Sequence, residues 1–422
     1  MDARESASVD PVLSSLQSDP RELLETTRRI LAADTRNPPG NTRVLIDRLA
    51  DEFASLGFDC ERFAVDPMKP NLVATLPGAS DFTLLYNGHV DTVPFDATQW
   101  TYDPLGEVVD DRLYGRGATD MKGAIGAMVQ AARAYARTGT EPPVTLQFAL
   151  VSDEEVWGEI GLSERLEGDR LDPDACVVGE ATGRPDVNSI AVGDRTYVWP
   201  VMEYAGRAAH GSRPMLGENA IDGLYEALRA CRRSLREFDV PTAEIDDAVL
   251  DESVAYYAHH LDEEAAAALF HSPTVNLGRF SGGDAVNTVP SSARAELDVR
   301  VLPSVDPERL VARLRDCLGA QESATLTDIS WNEGSYTEPE TTIVRAMSTV
   351  VDDVVPTPVY RRFATGSSDA QVFRAAGVPT VEFATGTGTA HAIDEYTTVD
   401  KLVQNALIYA RLPFVVDRIR GD

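Results

Sequence analysis

The chain of 422 residues, 43% of them hydrophobic, is long enough for a large core and for two domains, and no apolar run approaches the roughly 18 residues of a membrane helix. Its 38 basic against 68 acidic residues give a net charge of −30, which repels nucleic acid and anionic membranes and leaves neither as an expected partner. The polar opening Met1-Asp2-Ala3-Arg4-Glu5 has no apolar signal segment behind it, so a cytoplasmic location is expected. Residues 1–20 read as a weakly structured or helical leader, followed by a helix over Arg21–Asp34 and a Pro-Pro-Gly break at 38–40. A second helix from Thr42 to Leu56 is closed by Gly57, and strands follow over Asp59–Ala64 and Asn71–Leu76. Glu107 to Tyr114 reads as a hairpin around Asp110-Asp111, and Met121 to Arg137 as a helix.

After residue 180 the pattern changes. Val187–Glu203 alternates as a strand, Glu218–Phe238 is an amphipathic helix, and Thr242–Leu269 is acidic, Ala-rich and helically spaced. Ala293–Leu302, Pro307–Leu318 and Ala324–Trp331 continue as strand, helix and strand. That β-α-β-β-α-β order predicts a ferredoxin-like α+β domain. From Tyr336 the α/β pattern resumes. The expectation is an α/β domain built from 1–194 and 335–422, with a mixed, mostly parallel sheet and helices on both faces, interrupted by 195–334.

Lysine is nearly absent: Lys69, Lys122 and Lys401 stand alone against a majority of arginines. With so many carboxylates and no low-complexity acidic tail, this composition suits a host with molar intracellular salt, where self-repulsion is screened within about 3 Å. Cys60, Cys176, Cys231 and Cys317 lie far apart and are expected as buried thiols, neither disulfides nor metal ligands.

Four apolar runs end on residues able to bind metal. Phe82–Tyr86 leads to His89 and Asp91, and Val144–Val151 to Asp153-Glu154-Glu155. Asp174–Val178 leads to Glu180, and Pro379–Phe383 to a Gly/Thr loop ending at His391. Asp120 opens the helix that starts at Met121. In parallel α/β sheets, sites collect at the carboxyl ends of strands. Two histidines and three carboxylates there can hold two divalent metals and leave Glu154 free as a base. In an extended His-x-Asp both side chains share a face, so Asp91 can orient the His89 ring. Each signal alone has a plain alternative: an ordinary helix cap for Asp120, a solvated turn for Ser152-Asp153-Glu154-Glu155. Gly115-Arg116-Gly117 does not match a dinucleotide-binding glycine loop, and no Gly-x-Ser-x-Gly of a serine hydrolase occurs.

Asn87–Pro94, Gly115–Gly123, Ser152–Glu155, Gly179–Thr182 and His391 together resemble the motif set of the acetylornithine deacetylase, succinyl-diaminopimelate desuccinylase, aminoacylase and glutamate carboxypeptidase family. That resemblance implies two zinc ions, with cobalt or manganese as alternatives. His89, Asp120 and Glu180 would hold one, and Asp120, Glu155 and His391 the other. It further implies Glu154 as general base, Asp91 as the partner of His89, and a cis peptide at Asp120–Met121. Gly206–Pro214 resembles the family's lid motif, whose His (here His210) reaches the substrate carbonyl, often across a homodimer. Asn287 and Arg300 resemble its substrate-facing residues, and Gly366 and Ser367 stand where the pocket is lined. The acidic segment 241–270, with His259 and His260 read as exposed, falls outside these motifs. The expected reaction is hydrolysis of a small N-acyl amino acid, with a carboxypeptidase or dipeptidase as the alternative. A catalytically silent binding protein is disfavoured by the presence of Glu154.

Overall fold

A computed structural model of the protein describes residues 3–156, 171–319 and 323–421. It divides into two compact units. One comprises Met1–Val192, Thr337–Arg362 and Ser368–Asp422; the other comprises Gly193–Tyr336 and Phe363–Ser367. The segment Phe363–Ser367 thus groups with the inserted unit, which its sequence position does not suggest.

The first unit opens with helices Ala3–Ser18, Pro20–Leu31 and Arg43–Ser55. Asp19 caps the second, its carboxylate accepting the N–H groups of Arg21 and Glu22. Strands follow as β1 (Asp59–Phe63), β2 (Asn71–Leu76) and β3 (Thr83–His89). The hairpin β4 (Glu107–Val109) and β5 (Arg112–Tyr114) turns on Asp110, whose φ of 54° is left-handed. Helix Lys122–Thr138 leads to β6 (Thr145–Val151), β7 (Ala175–Ala181) and β8 (Asn188–Asp194).

The second unit contains β9 (Thr196–Ala205), the short β10 (Ala209–His210), helix Ala220–Arg236, helices Asp247–Ala258 and Glu263–His271, β11 (Thr274–Gly282), β12 (Thr288–Val289), β13 (Ser292–Val301), helix Pro307–Leu318 and β14 (Ala324–Asn332). Its four-stranded sheet has the order β11-β13-β9-β14, with β13 antiparallel to β11 and β9, and β9 antiparallel to β14. Along β13 burial alternates strictly, with Ala295, Leu297 and Val299 turned to the side covered by helices Ala220–Arg236 and Pro307–Leu318. One expected strand, Val187–Glu203, is two: the chain changes units between Val192 and Gly193, and β9 starts at Thr196.

The chain returns to the first unit at Thr337 and continues through helix Thr342–Val354, β15 (Val359–Ala364), helix Asp369–Ala375, β16 (Thr380–Ala384), β17 (Tyr396–Thr398) and the long helix Val399–Gly421. The completed sheet runs β1-β2-β6-β3-β7-β16-β8-β15. Its four middle strands, β6, β3, β7 and β16, are parallel to one another, and antiparallel strands flank them. These strands read as continuous apolar runs because both faces are covered. On one face Leu85, Val151, Cys176 and Val178 pack with Phe373 of helix Asp369–Ala375. On the other, Phe148 stacks on Tyr86 at 5.2 Å and touches Phe53 of helix Arg43–Ser55 at 5.1 Å. The Tyr86 hydroxyl there donates to Tyr409 O at 2.7 Å. Each such aromatic contributes on the order of 1.5–3 kcal/mol by burial. Helix Lys122–Thr138 lies so close to β7 that a Cβ on Gly179 would stand 2.6 Å from Met128 Cε and 3.0 Å from Ala124 Cβ. Two of the four cysteines, Cys60 and Cys317, are half-buried rather than buried as expected.

Candidate metal centre

The carboxyl ends of β3, β6 and β7, the turn before helix Lys122–Thr138 and the loop after β16 bring five candidate donor side chains together. His89 Nε2 lies 3.2 Å from Asp120 Oδ1 and 3.4 Å from Glu180 Oε1. His391 Nε2 lies 3.2 Å from Asp120 Oδ2 and 3.2 Å from Glu155 Oε2. His89, Asp120 and Glu180 form one group able to hold an ion; Asp120, Glu155 and His391 form a second. Asp120 serves both groups, one oxygen to each imidazole. It is not a helix cap: helix Lys122–Thr138 begins after Met121, and no side-chain cap bond is made. The peptide Asp120–Met121 is cis, as the resemblance implied.

Glu154 and Glu155 do not continue β6 as an extended segment. Asp153 takes a left-handed φ of 77° and the chain turns, so Glu154 is separated from Glu155 by the turn and not by strand alternation. Asp91 holds that turn. Its carboxylate accepts the N–H of Glu154 at 3.3 Å and of Glu155 at 3.2 Å, together with Asn37 Nδ2 at 2.8 Å. His89 Nδ1 is nearer to the backbone O of Asp91 (3.1 Å) than to its carboxylate (3.6 Å). Residue 91 therefore orients the imidazole through both groups and the two glutamates through its side chain.

Other supporting residues carry no motif. Asn37 also donates to Asp153 Oδ1 at 2.8 Å, and Lys69 pairs with the same carboxylate. Glu395 is fully buried and accepts from Thr119 N (2.8 Å), Asp120 N (3.0 Å) and Arg116 Nη1 (2.6 Å). Arg116 Nη2 reaches His391 O at 3.2 Å, so one ion pair fixes the backbone of a donor from each of two distant loops. The signal was present: Arg116 lies in the glycine loop set aside above, and Glu395 follows His391 by four residues.

Burial and close pairing shift the pKa values of the cluster. Burial opposes the charge of His89, yet hydrogen bonds to Asp120, Asp91 and Glu180 raise its pKa well above the ordinary histidine range. Hydrogen bonds to Asp120 and Glu155 lift His391 to about 10. Burial pushes Glu180 up to about 7, reinforced by the Asp120 charge, and raises Glu154 far above the usual carboxylate range. Acids crowded this closely around two imidazoles make a site suited to cations. Divalent ions on Nε2 and carboxylate oxygens fit the donor set and would stabilise the acids as anions.

The second unit brings its own expected residues together. His210 pairs with Thr288 in the β10–β12 ribbon, and Gly211 N donates to Asn287 O at 2.6 Å, so His210 and Asn287 are neighbours. Both are exposed. Ser212 N–H points at His210 Nδ1 (3.2 Å), which leaves the ring proton on Nε2, free to donate. Arg300 Nη1 donates to Thr365 O at 2.7 Å, beside Gly366 and Ser367. His259 and His260 are exposed, as expected.

Residues 85–414 match the family described as Peptidase family M20/M25/M40. The chain belongs to this family. It is 31% identical over 304 residues to the acetylornithine deacetylase of Vibrio campbellii, covering 72% of each protein. The fold is shared with an M20 family metallo-carboxypeptidase from Sulfolobus solfataricus, at a TM-score of 0.72 and 22% identity over 94% of this chain and 99% of that one. A Bacillus subtilis M20 protein described as a dinuclear metal binding peptidase has a TM-score of 0.64 at 15% identity, over 94% and 98% of the two chains. This M20 protein is accordingly a metal-dependent hydrolase of amide bonds. Among the described residues no helix is long and apolar enough to cross a membrane.

Proposed function

We propose that the protein hydrolyses the amide bond of a small N-acyl amino acid. The observation that carries this is the pair of three-donor groups sharing Asp120, with Glu154 beside them and in neither. A deacylase is favoured over a peptidase because the 31% identical relative is named for deacetylation, whereas the peptidase likeness is one of fold at 22% identity. His89, Asp120 and Glu180 would hold one zinc ion and Asp120, Glu155 and His391 another. Bound there, the ions would acidify a water and polarise the scissile carbonyl.

The remaining steps belong to the chain. Glu154 takes one proton of the attacking water on a carboxylate oxygen and passes it to the leaving amine nitrogen. His210 Nε2–H donates to the oxygen that becomes negative in the tetrahedral intermediate, from its own chain or a homodimer partner. Arg300 holds the substrate carboxylate, with Asn287, Gly366 and Ser367 lining the pocket. Replacing Glu154 by Ala keeps both ions per chain, measured by elemental analysis, and lowers kcat by at least about 10²-fold. Normal turnover in that variant removes Glu154 from the mechanism.

A further inference from the structure

The acidic segment that no family motif covers makes definite contacts. Ser253 and Tyr257, four residues apart, share a face of helix Asp247–Ala258. Phe363 N–H donates to Ser253 Oγ at 3.1 Å, and that hydroxyl donates to Val249 O at 2.7 Å. The Tyr257 hydroxyl lies 3.4 Å from Phe363 O and 3.3 Å from Thr365 Oγ1. Phe270, from helix Glu263–His271, sets its ring 5.7 Å from Tyr257 and 6.5 Å from Phe363. The helix pair therefore clamps Phe363–Thr365, which explains why Phe363–Ser367 groups with the second unit.

Thr365 is also the anchor of Arg300. Its carbonyl accepts Arg300 Nη1 at 2.7 Å, while Arg300 Nε sits 3.1 Å from both oxygens of Asp298. Behind the strand, Arg195 is 2% exposed and donates through Nη2 to Arg300 O at 2.6 Å, with its Nε buried and unpartnered. Arg300 is thus paired with Asp298, and a second, buried guanidinium lies against its backbone. With Nε and Nη1 engaged, Nη2 of Arg300 makes no hydrogen bond to a described residue and is the nitrogen left for an anionic ligand.

We propose that helices Asp247–Ala258 and Glu263–His271 are a specificity element, in which Ser253 and Tyr257 position Thr365 so that Arg300 is fixed for the substrate's free carboxylate. Tyr257 is a positioning residue and acts through Thr365; the inference rests on the N-acyl amino acid reading above. The test uses the zinc-loaded full chain with an N-acetyl amino acid and its carboxamide. Tyr257→Phe is expected to raise KM for the acid about five-fold, the worth of one hydrogen bond, with kcat and the carboxamide KM unchanged. Ser253→Ala should act in the same direction, with thermal melting confirming the fold of both variants. In an Arg300→Ala background, Tyr257→Phe should have no further effect. Equal changes for acid and carboxamide, or full additivity with Arg300→Ala, overturn the role of Tyr257 while leaving that of Arg300. If Arg300→Ala keeps the preference for the acid, or the wild type shows none, the carboxylate site itself falls. Absence of hydrolysis of any N-acyl amino acid refutes the functional reading and this one together.

Discussion

The donor residues were legible because each ends an apolar run or opens a helix, and strand ends are where this kind of sheet builds its sites. The residues that hold the donors were not legible. Glu395 supports Asp120 through a backbone N–H and His391 through Arg116, contacts that only the folded chain creates. Glu395→Gln leaves the buried Arg116 guanidinium without its counter-charge and should cost about 3 kcal/mol of stability. It should also weaken metal binding about 10-fold, as the loss of a group orienting a ligand does. Denaturant titration and competition with a chelating dye measure the two effects; a variant unchanged in both would show that Glu395 supports nothing. The adjacent glutamates carry a parallel lesson. In an extended strand neighbouring side chains would face opposite ways, but the left-handed Asp153 makes a turn, and Asp91 closes it through two backbone N–H groups.

At the scale of elements, long apolar runs and amphipathic helices announced themselves, and the inserted β-α-β-β-α-β order gave the second sheet. Interruptions were hidden. Arg195 lies between β8 and β9 within what reads as one alternating strand, because the change of unit leaves no break in the pattern. Helix Pro20–Leu31 shows how an ion pair adds to such an element. Glu22 of helix Pro20–Leu31 is bound by Arg137, Gln130 and Arg133 of helix Lys122–Thr138, and the Arg137 hydrogen bond above all lowers its pKa to about 2. A folded value below the unfolded one adds stability that is complete above about pH 4.5 and fades as pH falls toward 2. Glu22→Gln should therefore cost about 1 kcal/mol at pH 7, discounted for partial exposure, and nothing near pH 2. Thermal melting at both pH values checks the sign, and an equal loss at both would assign the effect to packing.

For the whole molecule, charge and chemistry make separate predictions. A net charge of −30 with three lysines implies a surface that repels itself, and screening within about 3 Å in molar salt relieves the cost. The melting temperature should fall by about 3 °C, on the order of 2–3 kcal/mol for a chain of this size, between molar KCl and dilute buffer. An unchanged value would show that the acidic composition has no bearing on stability. The chemistry predicted of this chain is metal-dependent cleavage of an amide. The direct measurement is amine release from N-acetyl, N-succinyl and dipeptide substrates in molar KCl, with zinc or cobalt supplied, beside a chelated control. Turnover confined to the N-acyl amino acids and abolished by the chelator is the predicted result. Hydrolysis that survives the chelator, or silence across the panel with two ions bound per chain, would contradict it.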